Sequence, residues 1–254
     1  MHRFNISPNT LKEGLVTLSV EESHHALSVL RLKAGDVVEL LDGQGGTFQG
    51  IVAGAEKGRV QVSVRETSVV LSAKKTVSIT LAAAVIKPER MELLIQKACE
   101  LGASAIVPLI TERTVVHLSQ ERWASKIQRW QKIARESCKQ CGQASMPAIQ
   151  KAVDFKKFTT TLGRFDLSLI PTLAVPVKTL YDSLNAGKLA RSVLLLIGPE
   201  GDFSKTEVQW AVSKGAQPVS LGPLVMRSET AAMYALAVVS FFYNEIALQG
   251  SQRQ

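Results

Sequence analysis

The chain has 254 residues, 46% of them hydrophobic and 20% charged, and 30 Lys and Arg against 22 Asp and Glu give it a formal charge of +8. That apolar share excludes intrinsic disorder for most of the chain, and the length suits a small domain followed by a medium one. The longest mostly apolar run, Ala231 to Phe242, falls short of the roughly 18 residues a membrane span requires, so a buried helix is expected and no membrane partner.

The amino-terminal MHRFNISPNT lacks the apolar core of a signal peptide, and three cysteines (Cys99, Cys138, Cys141) form no disulfide framework. A reducing, cytoplasmic setting is therefore expected. The positive excess is concentrated: residues 76–157 carry thirteen basic and seven acidic side chains. Such a middle segment points to a polyanion, nucleic acid before membrane.

In chain order, residues 15–70 read as short strands. Val37 to Leu41, a turn at Asp42-Gly43-Gln44-Gly45-Gly46, and Thr47 to Ala53 come first. Val60, Val62 and Val64 then alternate with Gln61, Ser63 and Arg65, the period of a strand buried on one face. Short strands this closely spaced suggest a small barrel, and Leu71 to Lys75 reads as the linker. From Thr76 the texture changes. Apolar runs at Val77–Ile86, Ala105–Ile110, Leu167–Ile170, Val193–Ile197 and Val219–Leu221 alternate with helical patterns, as in a parallel sheet covered on both faces. One helix is expected to open at Pro88, a good first-turn residue, with Met91, Leu94, Ile95, Ala98 and Leu101 on its apolar side. Ser204-Lys205-Thr206-Glu207 fits a capping box.

A helix over Gln120–Cys141 places Trp123, Ile127, Trp130, Ala134, Cys138 and Cys141 on one stripe and six cations elsewhere: Arg122, Lys126, Arg129, Lys132, Arg135 and Lys139. The cations form either a solvated face or an RNA-facing one. Cys138 and Cys141 have CxxC spacing but no second pair, and His2, His24, His25 and His117 show no metal spacing, so core packing is expected and no metal. Two strand-to-loop junctions stand out, Ile197-Gly198-Pro199-Glu200-Gly201 and Leu221-Gly222-Pro223-Leu224-Val225-Met226-Arg227-Ser228-Glu229-Thr230-Ala231. Each ends a buried strand, the place where ligands settle in α/β sheets. Neither a P-loop nor GxGxxG is present.

Those two junctions resemble the signature of the RsmE family, SPOUT-class enzymes that methylate N3 of a uridine in 16S ribosomal RNA with S-adenosylmethionine. The resemblance extends over nearly the whole chain, through Lys87-Pro88-Glu89-Arg90, Lys97 to Gly102, Thr111-Glu112-Arg113, and His25 with Val29-Leu30-Arg31-Leu32. It implies an α/β fold: a PUA-like RNA-binding β-barrel over 1–72, then a SPOUT methyltransferase domain over 76–250 with a parallel sheet and a carboxyl-terminal trefoil knot. It implies a homodimer joined through the final helix, expected over Thr230–Leu248, and 16S rRNA within the assembled small subunit as partner. The implied cofactor contacts are Ile197, Gly198, Pro199, Glu200, Gly201, Leu221, Gly222, Leu224, Met226 and Thr230. Arg227 and Glu200 are the catalytic candidates. Arg3, His25, Arg31, Lys33, Arg90, Arg113, Lys126, Arg129 and Arg135 are the RNA-binding candidates. The chain departs from the family pattern at Asp202 (usually Gly), Met226 (usually Leu) and Gln143 (usually Arg). Two alternatives stay open on the sequence: the same fold acting on a ribose 2′-hydroxyl or guanine N1, and a non-catalytic RNA-binding assembly protein.

Overall fold

The computed structural model describes residues 1–7, 10, 14–71, 76–114, 119–173, 177–186 and 189–251, with the side chains of 65–71, 120 and 246–251 left undescribed. The expected linker positions 72–75, and His117, lie outside the described residues. The chain divides into two units, Met1–Lys74 with Arg135–Met146, and Lys75–Ala134 with Pro147–Gln254.

The first unit is a five-stranded sheet of β1 (His2–Asn5), β2 (Leu15–Thr17), β3 (Val37–Leu41), β4 (Gly46–Glu56) and β5 (Arg59–Leu71), with the short helix α1 (Val20–His24). The strand order is β1-β3-β4-β5-β2. Val60, Val62 and Val64 point inward, joining Phe4, Val16, Leu18, Val38, Leu40 and Val52 in one apolar core. The strands are not all short, as the spacing suggests; β4 and β5 have 11 and 13 residues. They stay continuous because Lys57 (φ 49°) and Gly58 (φ 75°) close a two-residue hairpin whose twist matches the strands. Register shifts at Phe48/Gly50 and Val52/Gly54 then bend the pair. β1 runs parallel to β3, and α1 continues into a π-helical turn at His25–Val29.

The second unit is built on an all-parallel sheet. Its elements are β6 (Ser78–Ala84), α2 (Pro88–Glu100), β7 (Ala105–Ile110), α3 (Gln120–Cys141), β8 (Ala148–Ile149), β9 (Val153–Asp154), α4 (Phe155–Thr159), β10 (Leu167–Pro171), β11 (Lys178–Thr179), α5 (Leu180–Asn185), β12 (Ser192–Ile197), α6 (Lys205–Ser213), β13 (Gln217–Ser220) and α7 (Ser228–Ser251). The last residues of α3 are counted with the first unit. The strand order is β11-β13-β10-β12-β6-β7-β8, with β9 also on β7. Central β12 buries Val193, Leu194, Leu195, Leu196 and Ile197 in succession, as a strand covered on both faces must. Each such aliphatic contributes about 1.5–3 kcal/mol.

The helices begin where their local chemistry directs. Pro88 occupies the first turn of α2, and Ser204 and Glu207 form the reciprocal capping box of α6. Along α3, Trp130, Ala134 and Cys138 are buried, but Cys141, expected on the same stripe, is exposed. The helix ends there at Gly142 (φ 82°), which turns the chain away before another buried position is reached. Lys139 is not a solvated cation either: its ammonium lies 3.3 Å from Glu22 and 2.9 Å from Glu136. Burial pulls its pKa down, yet those two carboxylates outweigh it and hold the pKa above the ordinary lysine value. Among the described residues no helix is long and apolar enough to cross a membrane, and no His, Cys, Asp and Glu group could hold a metal ion.

Candidate functional site

The carboxyl ends of β10, β12 and β13 open onto a cleft of about 730 Å³. Its walls are Pro171–Leu173 and Val177 on one side, Ile197–Asp202 on a second, and Ser220–Met226 with Ser228 and Ala231 on a third. Both glycine-proline junctions singled out in the sequence therefore meet in one place, at the sheet edge where ligands bind in parallel α/β folds.

Each junction is a built turn. The Asp202 amide donates to the Pro199 carbonyl at 3.0 Å, closing Pro199-Glu200-Gly201-Asp202. Asp202 stands at φ 61°, in the left-handed region that favours glycine. Its carboxylate compensates by accepting from the amides of Phe203 (2.8 Å) and Leu173 (3.4 Å), tying the β12 turn to the end of β10. Gly198 is needed for room: a Cβ there would lie 3.0 Å from the Phe203 nitrogen. In the other junction, Gly222 sits at φ 117° and its amide donates to the Ser220 hydroxyl at 3.1 Å. Ile197 is buried at the cleft floor, Leu221 and Met226 are half-buried, and Leu224 and Val225 are 76% exposed each.

Two arginines reach the β12 turn from outside the cleft. Arg113, in the turn after β7, donates from Nη1 to the Gly201 carbonyl. Arg90, in the first turn of α2, places Nη1 4.0 Å from Glu200 and Nε 3.7 Å from Glu229. Glu229 lies in the first turn of α7, buried, with its Oε2 lacking a hydrogen-bond partner.

Nine of the ten expected cofactor contacts thus line one cleft. Thr230 is exposed and does not line the cleft; Ser228 and Ala231 do, because residues three apart share a helix face and α7 starts at 228. Arg227 is exposed and also lies off the cleft wall, between the wall residues Met226 and Ser228. Its carbonyl accepts the Ala231 amide at 2.8 Å, in the first turn of α7. Pro171, Thr172, Leu173 and Val177 were not anticipated, since the β10 end carries no glycine to mark it.

The RNA-binding candidates separate into two groups. Four are engaged within their own units. Arg3 pairs with Glu39 and donates to the Gln140 carbonyl at 2.9 Å. Arg90 and Arg113 hold the cleft turn, as above. Arg129 makes a two-pronged pair with Glu92, Nη2 to Oε2 at 2.8 Å, and that hydrogen-bonded guanidinium keeps the Glu92 carboxyl below the usual carboxylate range. Arg31, Lys33 and Arg135 are exposed, and Lys126 is half-buried. Arg31 adopts φ 54°, an unusual conformation for a non-glycine residue. His25 is half-buried, its ring edge-on to Phe4 at 6.3 Å. The Gln143 side-chain amide donates to the Ser145 carbonyl at 2.8 Å.

The chain matches the family described as RNA methyltransferase domain over residues 73–240, and the one described as RNA methyltransferase PUA domain over 18–65. It is 33% identical, over 94% of this chain and 77% of the relative, to the ribosomal RNA small subunit methyltransferase E of Synechocystis. Its fold matches a Legionella pneumophila methyltransferase solved with bound SAM at a TM-score of 0.84 and 35% identity, covering 94% of this chain and 96% of that one. The ribosomal RNA small subunit methyltransferase E of Neisseria gonorrhoeae, bound to S-adenosyl methionine, matches at a TM-score of 0.82 and 29% identity, with coverage of 94% and 96%.

Proposed function

This chain belongs to the family of RNA methyltransferases, with a PUA domain ahead of its methyltransferase domain, and from that premise we propose that it methylates N3 of a uridine in 16S ribosomal RNA. The observation that carries the reading is the meeting of both glycine-proline turns in one cleft at the carboxyl ends of three parallel strands. About 730 Å³ falls within the range of small-molecule sites, roughly 300–1,000 Å³. Glycines at 198 and 222 let main-chain groups approach an adenosine closely, and Ile197, Leu221 and Met226 supply apolar surface for its base. These residues fit S-adenosylmethionine, which when bound supplies a methyl group on a sulfonium.

The remaining chemistry falls to the protein. A uracil N3–H is a weak acid, about two pK units above neutrality, so its deprotonation costs about 3 kcal/mol at pH 7. Glu200, on the cleft wall, accepts that proton. Arg227, an exposed permanent cation beside the wall, stabilises the negative charge that develops on the uracil. The turns fix the angle of approach, and positioning of this kind carries much of the rate.

The reading extends to partners. Residues 1–72 form the RNA-binding domain and 76–250 the knotted SPOUT domain. His25, Arg31 and Lys33 in the first, with Lys126 and Arg135 on α3, meet RNA in the assembled small subunit in the cytoplasm. The enzyme is a homodimer. Phe241 and Tyr234 on α7, 67% and 43% exposed, support that reading, because a second copy would cover this apolar face. The test is incubation of unmodified small subunits with methyl-labelled S-adenosylmethionine, followed by mass spectrometry of the digested RNA. One N3-methyluridine is expected; label on a ribose, on a guanine, or nowhere overturns the proposal.

A further inference from the structure

We propose that Arg90 and Arg113 are positioning residues for the cofactor turn, holding Pro199–Asp202 in its binding shape, and are not phosphate contacts. The inference rests on the reading of the cleft as the S-adenosylmethionine site. Charge and location make both arginines look like RNA contacts, but their guanidinium groups are aimed inward. Arg113 donates to the Gly201 carbonyl, and its Cδ lies 3.4 Å from where a Gly201 Cβ would stand, so the stem as well as the head rests on the turn.

The segment that carries Arg113 is itself rigid. The Thr111 amide donates to the Thr114 hydroxyl at 3.0 Å, the Thr114 amide returns to the Thr111 carbonyl at 3.1 Å, and both side chains are buried. The neighbouring Glu112 amide donates to Glu207 Oε1 at 2.8 Å, and Glu207 caps α6, the helix that follows the cofactor turn. The exit from β7 therefore grips the β12 turn at Gly201 and again just beyond it at Glu207. Arg90 completes the brace from α2. It faces Glu200 on the cleft wall and Glu229 at the start of α7, so one cation orients a wall carboxylate against a buried one. A carbonyl held by a charged donor cannot rotate away without losing a strong hydrogen bond. A phosphate drawing either guanidinium outward would free the turn it fixes.

The experiment compares Arg113→Met, Arg113→Lys and Arg90→Lys with the unaltered enzyme. S-adenosylmethionine affinity is measured by calorimetry, and RNA affinity across a salt series. All three variants are expected to weaken S-adenosylmethionine binding about tenfold or more, because lysine keeps the charge but not the forked reach of the guanidinium. The slope of log RNA affinity against log salt should not change in any of the three, while turnover is expected to fall as well, most for Arg90→Lys, because the Arg90 guanidinium faces Glu200. A phosphate contact predicts the reverse: Arg113→Lys like the unaltered enzyme, and Arg113→Met with normal cofactor affinity and a slope shallower by about 0.7–0.9. That result overturns the assignment. Failure of the unaltered enzyme itself to bind S-adenosylmethionine instead removes the reading of the cleft on which the inference stands.

Discussion

Gly198 and Gly201 look equivalent in the sequence, and the structure predicts that alanine separates them sharply. A Cβ on Gly198 meets the Phe203 nitrogen at 3.0 Å, Asp202 Oδ1 at 3.1 Å and Phe203 Cδ2 at 3.2 Å. Comfortable separations are about 3.5–4.0 Å, so the turn has to open by roughly half an ångström against its own backbone. Overpacking of this kind costs about 1–3 kcal/mol. Part of that cost appears as lost stability, at about 2–4 °C per kcal/mol for a domain of this size. The rest appears as lost ligand affinity, since an opened turn must close again to bind; all of it there would mean about fivefold to 150-fold. A Cβ on Gly201 meets only Arg113 Cδ at 3.4 Å, an ordinary contact. Gly201→Ala should therefore keep its melting temperature within about 1 °C and its affinity within about threefold. Calorimetric titration with S-adenosylmethionine and a thermal melt of both variants decide the matter. Equal behaviour of the two variants, or an unaffected Gly198→Ala, would refute the steric argument.

Arg227→Ala should keep S-adenosylmethionine affinity within about tenfold while turnover falls about 10²–10³-fold, read by titration beside a methyl-transfer assay; normal turnover removes its catalytic role. Replacing Lys126 and Arg135 with Ala should lower the salt slope of RNA binding by about 0.7–0.9 per lost contact. Arg129→Ala, already paired with Glu92, should change that slope least. Asp166 accepts from the Ser192 hydroxyl and from the Arg191 and Ser192 amides, which hold its carboxyl below the ordinary value. Because the folded pKa is the depressed one, the stabilisation is present above the unfolded value of about 3.9 and is lost as pH falls through the folded one. Asp166→Asn should thus lower the urea midpoint at pH 7, and the gap should begin to narrow only as pH falls below about 3.9, closing once pH lies below the folded pKa; a gap that does not narrow as pH is lowered below about 4 contradicts this.

Much of the sheet could be read in advance because a parallel strand covered on both faces is continuously apolar, as in Leu194-Leu195-Leu196-Ile197. Local chemistry likewise announced the starts of α2 and α6, at Pro88 and at Ser204 with Glu207. Local patterns fail where partners are remote. His2–Asn5 is too short to display a period, and only its parallel pairing with Val38–Leu41 makes it a strand. Arg113 is 88 residues from Gly201, and no spacing rule links a cation to a carbonyl so far along the chain. Its charge alone suggests an RNA contact, and the hydrogen bond to Gly201 is the observation behind the positioning role proposed above. Which residues of α7 line the cleft depends on where the helix begins, which no local pattern settles: Ser228 and Ala231 line it and Thr230 does not. Asp202 reads as a mere departure from glycine until its φ of 61° and its two amide partners are known.

Hydrogen exchange of the protein with and without S-adenosylmethionine tests the central assignment most directly. Slowed exchange is predicted in 197–203 and 220–231. No change is predicted around a second cavity, of about 450 Å³, lined by Asp166, Leu184, Arg191, Gln217 and Tyr243 at the other end of β10 and β12. Protection at that second cavity, or nowhere in the chain, would contradict the assignment.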